Sequence, residues 1–279
     1  MNDPSAELQT MIEAARAAGA ALMRRFGALS EVEVALKGPA DFVSAADLES
    51  QRIIEAVLAG AYPSHGFLSE ESAPRSGDGA ARFIVDPLDG TTNFLHGLPH
   101  FAIAIALERA GDVVAGVVHD PAKGELFVAE RGRGAWLDGR RLRVSEESEL
   151  SGALVATGIP HSNAWRRHAR YLDILAGAMR EAAGIRRYAA AALDLAYVAA
   201  GRFAVFFEFG LAPWDLAAGA LLVREAGGRV SEPGGGERFL ASGNVLATNG
   251  RLHPRMLAMV GRATRRGALA RQRRRMRWQ

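Results

Sequence analysis

The chain has 279 residues, a net charge of +3, no cysteine, and a composition that is 49% hydrophobic and 23% charged. This balance is typical of a folded globular protein, and the lack of cysteine excludes disulfides, thiol nucleophiles and thiolate metal sites. Because no apolar run reaches roughly 20 residues and the start does not resemble an export signal, we expect a cytoplasmic protein without a membrane span.

The first half of the chain predicts an α+β lobe, residues 1–150. Apolar residues at helical spacing between Asp3 and Phe26 predict a first helix, and a second is expected from about Leu48 to Leu58. Between residues 101 and 139, β-rich runs separated by glycine-containing turns predict an antiparallel meander.

The second half, residues 151–261, predicts strands and helices in alternation. Strands are expected within 151–159, 203–210 and 244–250, and helices within 165–184, 191–201 and 214–228, followed by a C-terminal helix. Such alternation indicates an α/β lobe.

The chain ends in an Arg-rich tail, Arg262 to Gln279, with eight arginines and no acid. The tail carries a charge of +8, and the rest of the chain has a net charge of −5. The basic character of the chain therefore comes from the tail. A tail of this kind can contact nucleic acid or another polyanion. The alternative is a solvated terminus without a partner.

The segment FIVDPLDGTTNF, residues 83–94, holds the clearest candidate site. Asp86 and Asp89 lie three residues apart in a turn, where two carboxylates can meet at one point. Convergent oxygen ligands suit a hard cation such as Mg²⁺, and the carbonyl of Leu88 is a candidate extra ligand. Gly90 and Thr91 then offer N–H groups and a hydroxyl to a phosphate. The alternative is an ordinary turn whose aspartates satisfy local amides.

Other acidic residues are candidates with competing interpretations. Glu70 and Glu71 follow the run GFLS, and adjacent acids are commonly a solvated surface pair. Asp215 stands at the start of a predicted helix, where a carboxylate is electrostatically favoured, so it is either a plain N-cap or a ligand. Asp47, at the start of the second predicted helix, is likewise either a plain N-cap or a residue of the site.

Four segments together resemble the inositol monophosphatase family, most closely its bacterial inositol-1-monophosphatase branch. They are KGPADFVSAAD (37–47), SEES (69–72), IVDPLDGTTNF (84–94) and PWDLAAGALLVREAGG (213–228), and the similarity runs from about residue 7 to residue 260. The resemblance implies a layered αβαβα sandwich and a homodimer. It also implies Mg²⁺-dependent hydrolysis of a small phosphorylated polyol, above all inositol-1-phosphate, by a metal-activated water.

The resemblance further implies a role for each site residue. The metal ligands would be Glu70, Asp86, the Leu88 carbonyl, Asp89 and Asp215, holding two or three Mg²⁺ ions. The catalytic residues would be Glu70, Glu71, Asp47 and Thr91, with Thr91, oriented by Asp47, hydrogen-bonding the attacking water. The substrate would contact Leu88, Asp89, Gly90, Thr91, Ala190, Glu208 and Asp215, with Glu208 bonding substrate hydroxyls.

The chain departs from the family at Ala189 and Ala190, where relatives usually have Gly-Thr or Gly-Ser. Ala190 lacks the hydroxyl and Ala189 lacks the conformational freedom of glycine, which weakens the inference of inositol but not of metal chemistry. Phosphatases of the same superfamily that act on a sugar, histidinol or nucleotide phosphate are therefore alternatives. An RNA or transcription-complex binding role through the tail is an alternative of another class.

Overall fold

The structure is a computed structural model that describes residues 4–27, 34–38, 41–159 and 169–263. The Arg-rich tail from position 264 onward, and the start of the helix predicted within 165–184, lie outside the described residues. Within the described ranges, no helix is long and apolar enough to cross a membrane.

The two predicted N-terminal helices are present and pack against each other. Helix α1 (Ala6–Arg25) begins after Ser5, whose side chain accepts a hydrogen bond from the Leu8 N–H at 3.2 Å. A short antiparallel hairpin of β1 (Val34–Gly38) and β2 (Asp41–Ser44) leads into α2 (Ala45–Ala61). Helix α2 begins three residues before the predicted start because Ser44 and Asp47 form a capping box there.

Seven strands form the first sheet, and the antiparallel meander predicted within 101–139 is confirmed as its larger part. In spatial order they are β3 (Gly66–Ser69), β4 (Ala81–Asp89), β5 (Ala102–Arg109), β6 (Asp112–Asp120), β7 (Glu125–Glu130), β8 (Gly134–Leu137) and β9 (Arg140–Arg141). Only the β3–β4 pair among them is parallel. A one-turn helix, α3 (Thr91–Leu95), separates β4 from β5.

The second sheet is mixed and has the order β11-β10-β12-β14-β13. Its strands are β10 (Leu154–Thr157), β11 (Gly184–Arg186), β12 (Val205–Glu208), β13 (Arg229–Ser231) and β14 (Val245–Thr248). The accompanying helices are α4 (Ala169–Glu181), α5 (Ala191–Ala199), α6 (Pro213–Glu225), α7 (Phe239–Ser242) and α8 over residues 253–263. Strand β10 runs parallel to β11 and β12, whereas β14 is antiparallel to both of its neighbours.

Three apolar clusters stack these elements into the expected αβαβα sandwich. Alternation along β5 sends Ile103 and Ile105 toward α1 and α2, and Ala104 and Ala106 toward α5 and α6. Helices α5 and α6 lie between the two sheets, while α4 and α8 cover the outer face of the second sheet. Every residue of α5 is buried, which explains its almost entirely apolar sequence. The predicted division at residue 150 falls between β9 and β10 and remains a prediction.

Candidate active site

The parallel pairing of β3 and β4 brings two candidate acids to neighbouring strand ends. Ser69 pairs with Val85, so Glu70 and Asp86 are the next residues on each strand, and the Glu70 N–H donates to the Val85 carbonyl at 3.3 Å. Between Asp86 and Asp89 the register with β5 shifts, because a bulge accommodates a proline that has no N–H to donate. Within that bulge Asp86 Oδ1 accepts the Leu88 N–H at 3.0 Å.

Asp47 and Thr91 contact each other, although 44 residues separate them in the chain. Asp47 Oδ2 accepts the Ser44 N–H at 2.8 Å and its hydroxyl at 2.6 Å, which leaves Oδ1 2.9 Å from the Thr91 hydroxyl. The same hydroxyl lies 3.0 Å from the Leu88 carbonyl. Burial raises the pKa of Asp47, and the hydrogen bonds from Ser44 and Thr91 oppose that rise. Asp47 is therefore both a helix cap and the partner of Thr91.

Asp89 and Asp215 are each held by backbone N–H groups at the start of a helix. Asp89 accepts the N–H groups of Ala191 at 3.2 Å and Ala192 at 2.8 Å, the first residues of α5. Asp215 accepts the Ala212 N–H at 2.7 Å at the start of α6. Helix N-termini favour negative charge, so both carboxylates are oriented by the fold.

The electrostatics of the site show that several acids converge there. Burial and then the charges of Glu70, Asp89 and Asp215 raise the pKa of Asp86 well above its usual value. Burial is also the main cause that raises the pKa of Asp89 to about 7 and that of Asp215 to about 7, and repulsion by other acids adds to it. Because the charge of Asp215 acts on Asp86, the two side chains lie close together although they come from distant segments of the chain.

This donor set fits a hard divalent cation. All its groups are oxygen donors, and a bound cation would remove the repulsion between the acids. Within the described ranges, no group of three or more His, Asp or Glu side chains has the spacing that would hold a metal ion. The fit therefore rests on the chemistry of the ligands and on the mutual repulsion of the buried acids rather than on ligand distances.

Glu71 and Gly90 flank the acids. Glu71 is partly exposed at the end of β3. Gly90 has a φ of 90° and directly precedes α3, so its left-handed conformation requires glycine and brings the Thr91 N–H to a helix start.

The residues predicted for the organic part of the substrate lie beside these acids. Burial, followed by the charges of Asp215 and Asp89, raises the pKa of Glu208 to about 8, so Glu208 lies near both. Ala190 is fully buried at the start of α5. Ala189 adopts a φ of 60°, the left-handed region that favours glycine.

Some residues that shape the site were missed in the sequence. The Ser50 hydroxyl donates to the Pro87 carbonyl at 2.6 Å and ties α2 to the turn. The Asn93 amide donates to the carbonyls of His100 at 2.8 Å and Tyr188 at 2.7 Å. Neither residue stands out in the sequence, because Ser50 lies between two polar residues and Asn93 follows two threonines.

An apolar groove of about 450 Å³ lies between α4 and β11. Its lining includes Thr157, Ile159, Tyr171, Met179 and Arg187. None of the predicted metal ligands lines this groove, so the volume of a cavity does not by itself identify the candidate metal site.

Comparisons with known proteins match most of the chain. The family model described as the inositol monophosphatase family matches residues 3–265. A protein of Rhizobium meliloti named inositol-1-monophosphatase is 54% identical, over 88% of this chain and 92% of its own. One of Pseudomonas aeruginosa named Nus factor SuhB is 46% identical, over 91% and 95%.

Solved structures agree as well. The extragenic suppressor protein suhB of Bartonella henselae has a TM-score of 0.89 at 49% identity, covering 92% of this chain and 98% of that one. An IMPase of Thermotoga maritima has a TM-score of 0.84 at 35% identity, covering 93% and 98%.

Proposed function

The chain is a phosphatase of the inositol monophosphatase family, and from that premise we propose that it hydrolyses small phosphorylated polyols with Mg²⁺. Inositol-1-phosphate is the proposed substrate, and two or three Mg²⁺ ions bound by Glu70, Asp86, the Leu88 carbonyl, Asp89 and Asp215 are the proposed cofactors. The observation that carries the proposal is the convergence of acids on Asp86, since carboxyl groups from distant segments of the chain act on this one buried side chain.

Each group of residues has a distinct part in the proposed reaction. Bound Mg²⁺ would neutralise the phosphate charge and make a bound water more acidic. The Thr91 hydroxyl, which lies 2.9 Å from Asp47, would orient the attacking water, and Glu71 would hydrogen-bond a metal-bound water. The N–H groups of Gly90 and Thr91 would hold phosphate oxygens, while Glu208 and the wall formed by Ala190 would contact the organic group.

A substrate panel tests this function. Phosphate release from inositol-1-phosphate, histidinol phosphate, fructose 1,6-bisphosphate and a nucleotide 3′-phosphate is measured with Mg²⁺ and with a chelator. We expect Mg²⁺-dependent release that is fastest with inositol-1-phosphate. A faster rate with another ester would move the chain to the corresponding alternative activity, and no release from any ester would contradict the proposal.

We also propose a cytoplasmic homodimer. Ile159 and Met179 line the apolar groove and are 54% and 66% exposed, so this face offers apolar surface to a second copy. Light scattering should give twice the chain mass, and Met179→Glu should give a monomer. A monomeric unsubstituted protein would contradict the proposed dimer.

A binding role through the Arg-rich tail is the second candidate function. The relative named Nus factor SuhB favours a role beside catalysis, and the eight arginines of the tail suit a polyanion such as RNA. Ala263 is buried and Arg262 pairs with Glu181 at 3.7 Å, so the test leaves both in place. RNA binding at increasing salt should weaken when the later arginines become glutamine, and unchanged binding would remove this role.

A further inference from the structure

Gly158 lies beside Glu208 at the ends of two parallel strands. Strands β10 and β12 pair Thr157 with Phe207, and the Thr157 hydroxyl donates to the Phe207 carbonyl at 2.8 Å. Gly158 and Glu208 are the next residues on each strand. Because ligands of α/β proteins bind at the carboxyl ends of parallel strands, both residues stand where an organic group is expected.

A side chain at position 158 would displace the Glu208 carboxyl group. The atoms nearest to a Cβ built on Gly158 are the two oxygens and the carbon of that group, and all three would overlap with it. The φ of Gly158 lies outside the left-handed region, so its backbone accepts any L-residue. Glycine is therefore required at this position for the room that it leaves to Glu208, not for its backbone conformation.

The surroundings of Glu208 suit a ligand that offers hydrogen-bond donors. Asp194 is only 1% exposed, and both of its carboxyl oxygens lack a hydrogen-bond partner in the described structure. Glu208 is the strongest charged influence on Asp194, so the two acids are neighbours. Hydroxyl groups suit such a wall because each can donate to a carboxyl oxygen.

We propose that Gly158 is a specificity-determining position, because its missing side chain lets the Glu208 carboxyl group lie against β10 and meet hydroxyl groups of the substrate. The inference rests on the proposed phosphatase function and on the role of Glu208 within it. Gly158 acts through Glu208 and is a positioning residue.

The first test is Gly158→Ala, assayed with two esters. One is inositol-1-phosphate, and the other is p-nitrophenyl phosphate, which carries no hydroxyl groups. We expect kcat/KM for the first to fall about tenfold, mainly through KM, as one lost hydrogen bond would cause. The value for the second should not change, because the metal and phosphate contacts stay in place. The melting temperature should also hold, since the far end of a flexible side chain moves rather than the backbone.

Gly60→Ala is the matched control. No atom lies within 4 Å of a Cβ built on Gly60, and its φ is not left-handed. Both esters should be hydrolysed as before by this variant. An equal loss with both esters in Gly158→Ala, or no loss with either, would overturn the inference.

The second test repeats the substitution in a Glu208→Ala background. With the carboxyl group gone, Gly158→Ala has nothing to displace, so it should cause no further loss with inositol-1-phosphate. A loss as large as in the unsubstituted background would show that position 158 acts elsewhere and would overturn the inference. Failure of the unsubstituted enzyme to hydrolyse either ester would instead refute the proposed function, and this inference with it.

Discussion

At the scale of single residues, the acids of the site are placed at a cost to the metal-free fold. Asp86 is buried, and this burial together with the charges of neighbouring carboxyl groups raises its pKa. A protein that keeps such an arrangement has less stability than one with neutral groups there. Substitution of these acids should therefore lower the activity but not the stability of the metal-free protein.

Asp86→Asn and Asp215→Asn test that opposition. We expect turnover to fall at least about a thousandfold under saturating Mg²⁺, since each variant loses a proposed ligand whose charge offsets the phosphate. The metal-free melting temperature should stay or rise, because an amide removes a buried acid. Phosphate release and thermal unfolding check both outcomes. Near-normal hydrolysis by either variant would show that its acid has no catalytic part.

Ala189→Gly tests the strain at the start of the substrate wall. An L-residue in the left-handed region costs roughly 1–2 kcal/mol, whereas glycine costs about 0.5–1 kcal/mol of chain entropy. With φ at 60°, Ala189→Gly should therefore raise the free energy of unfolding by up to about 1 kcal/mol. Ala59→Gly in the interior of α2 is the control and should lower it by about 1 kcal/mol. A lower free energy of unfolding in both variants would show that the backbone at Ala189 is not strained.

At the scale of elements, the sequence predicts long periodic segments well and short ones poorly. Helices α1, α5 and α6 and the β5–β6 hairpin carry enough apolar positions for a period to be recognised. Strands β11 and β13 have three residues each. Whether so short a segment forms a strand depends on the strands it pairs with rather than on its own sequence. The early start of α2 follows from one side-chain contact, Ser44 with Asp47.

The site was predictable in composition but not in detail. The acids and the Asp86–Asp89 turn follow from motifs, because each motif fixes residue types over a short distance. The contact between Asn93 and Tyr188 joins residues 95 positions apart, and the room left by Gly158 depends on a neighbouring strand. Such features depend on how distant segments pack or pair with each other, which the local residue pattern does not specify.

Ser44→Ala tests whether the start of α2 serves catalysis as well as stability. Losing the cap should cost about 1 kcal/mol, and kcat should also fall severalfold because Asp47 would keep only the backbone bond of the two that hold it against Thr91. Ser5→Ala, which removes the N-cap of α1, is the matched control with a similar stability loss and normal kcat. An equal kcat in the two variants would show that the Ser44 cap contributes to stability but not to catalysis.

At the scale of the whole molecule, two sheets and the helices between them bring the acids together. Asp86 and Asp89 come from the first sheet and its turn, whereas Asp215 begins α6, a helix that packs against both sheets. Stability of the fold and protonation of the site are therefore linked. Anything that changes the charge of the buried acids changes the stability of the entire chain.

The pH dependence of stability follows from the raised pKa values. Asp89 and Asp215 have pKa values of about 7 in the folded protein and near 3.8 ordinarily, so between these values the folded state holds more protons than the unfolded state. Their contribution to the stability of the metal-free protein is thus full below about pH 4 and is lost as the pH rises through 7. Each group changes stability by at most about 1.4 kcal/mol per pH unit.

Mg²⁺ should reverse that loss, because the cation takes the place of the protons at the acids. The rise in melting temperature on adding Mg²⁺ should therefore grow between about pH 5 and pH 8, since fewer protons must be displaced at higher pH. Asp215→Asn serves as the internal comparison, because without one titrating acid its Mg²⁺-dependent rise should be smaller and less dependent on pH. A stabilisation by Mg²⁺ that is constant across this range would mean that the cation binds outside the buried acids.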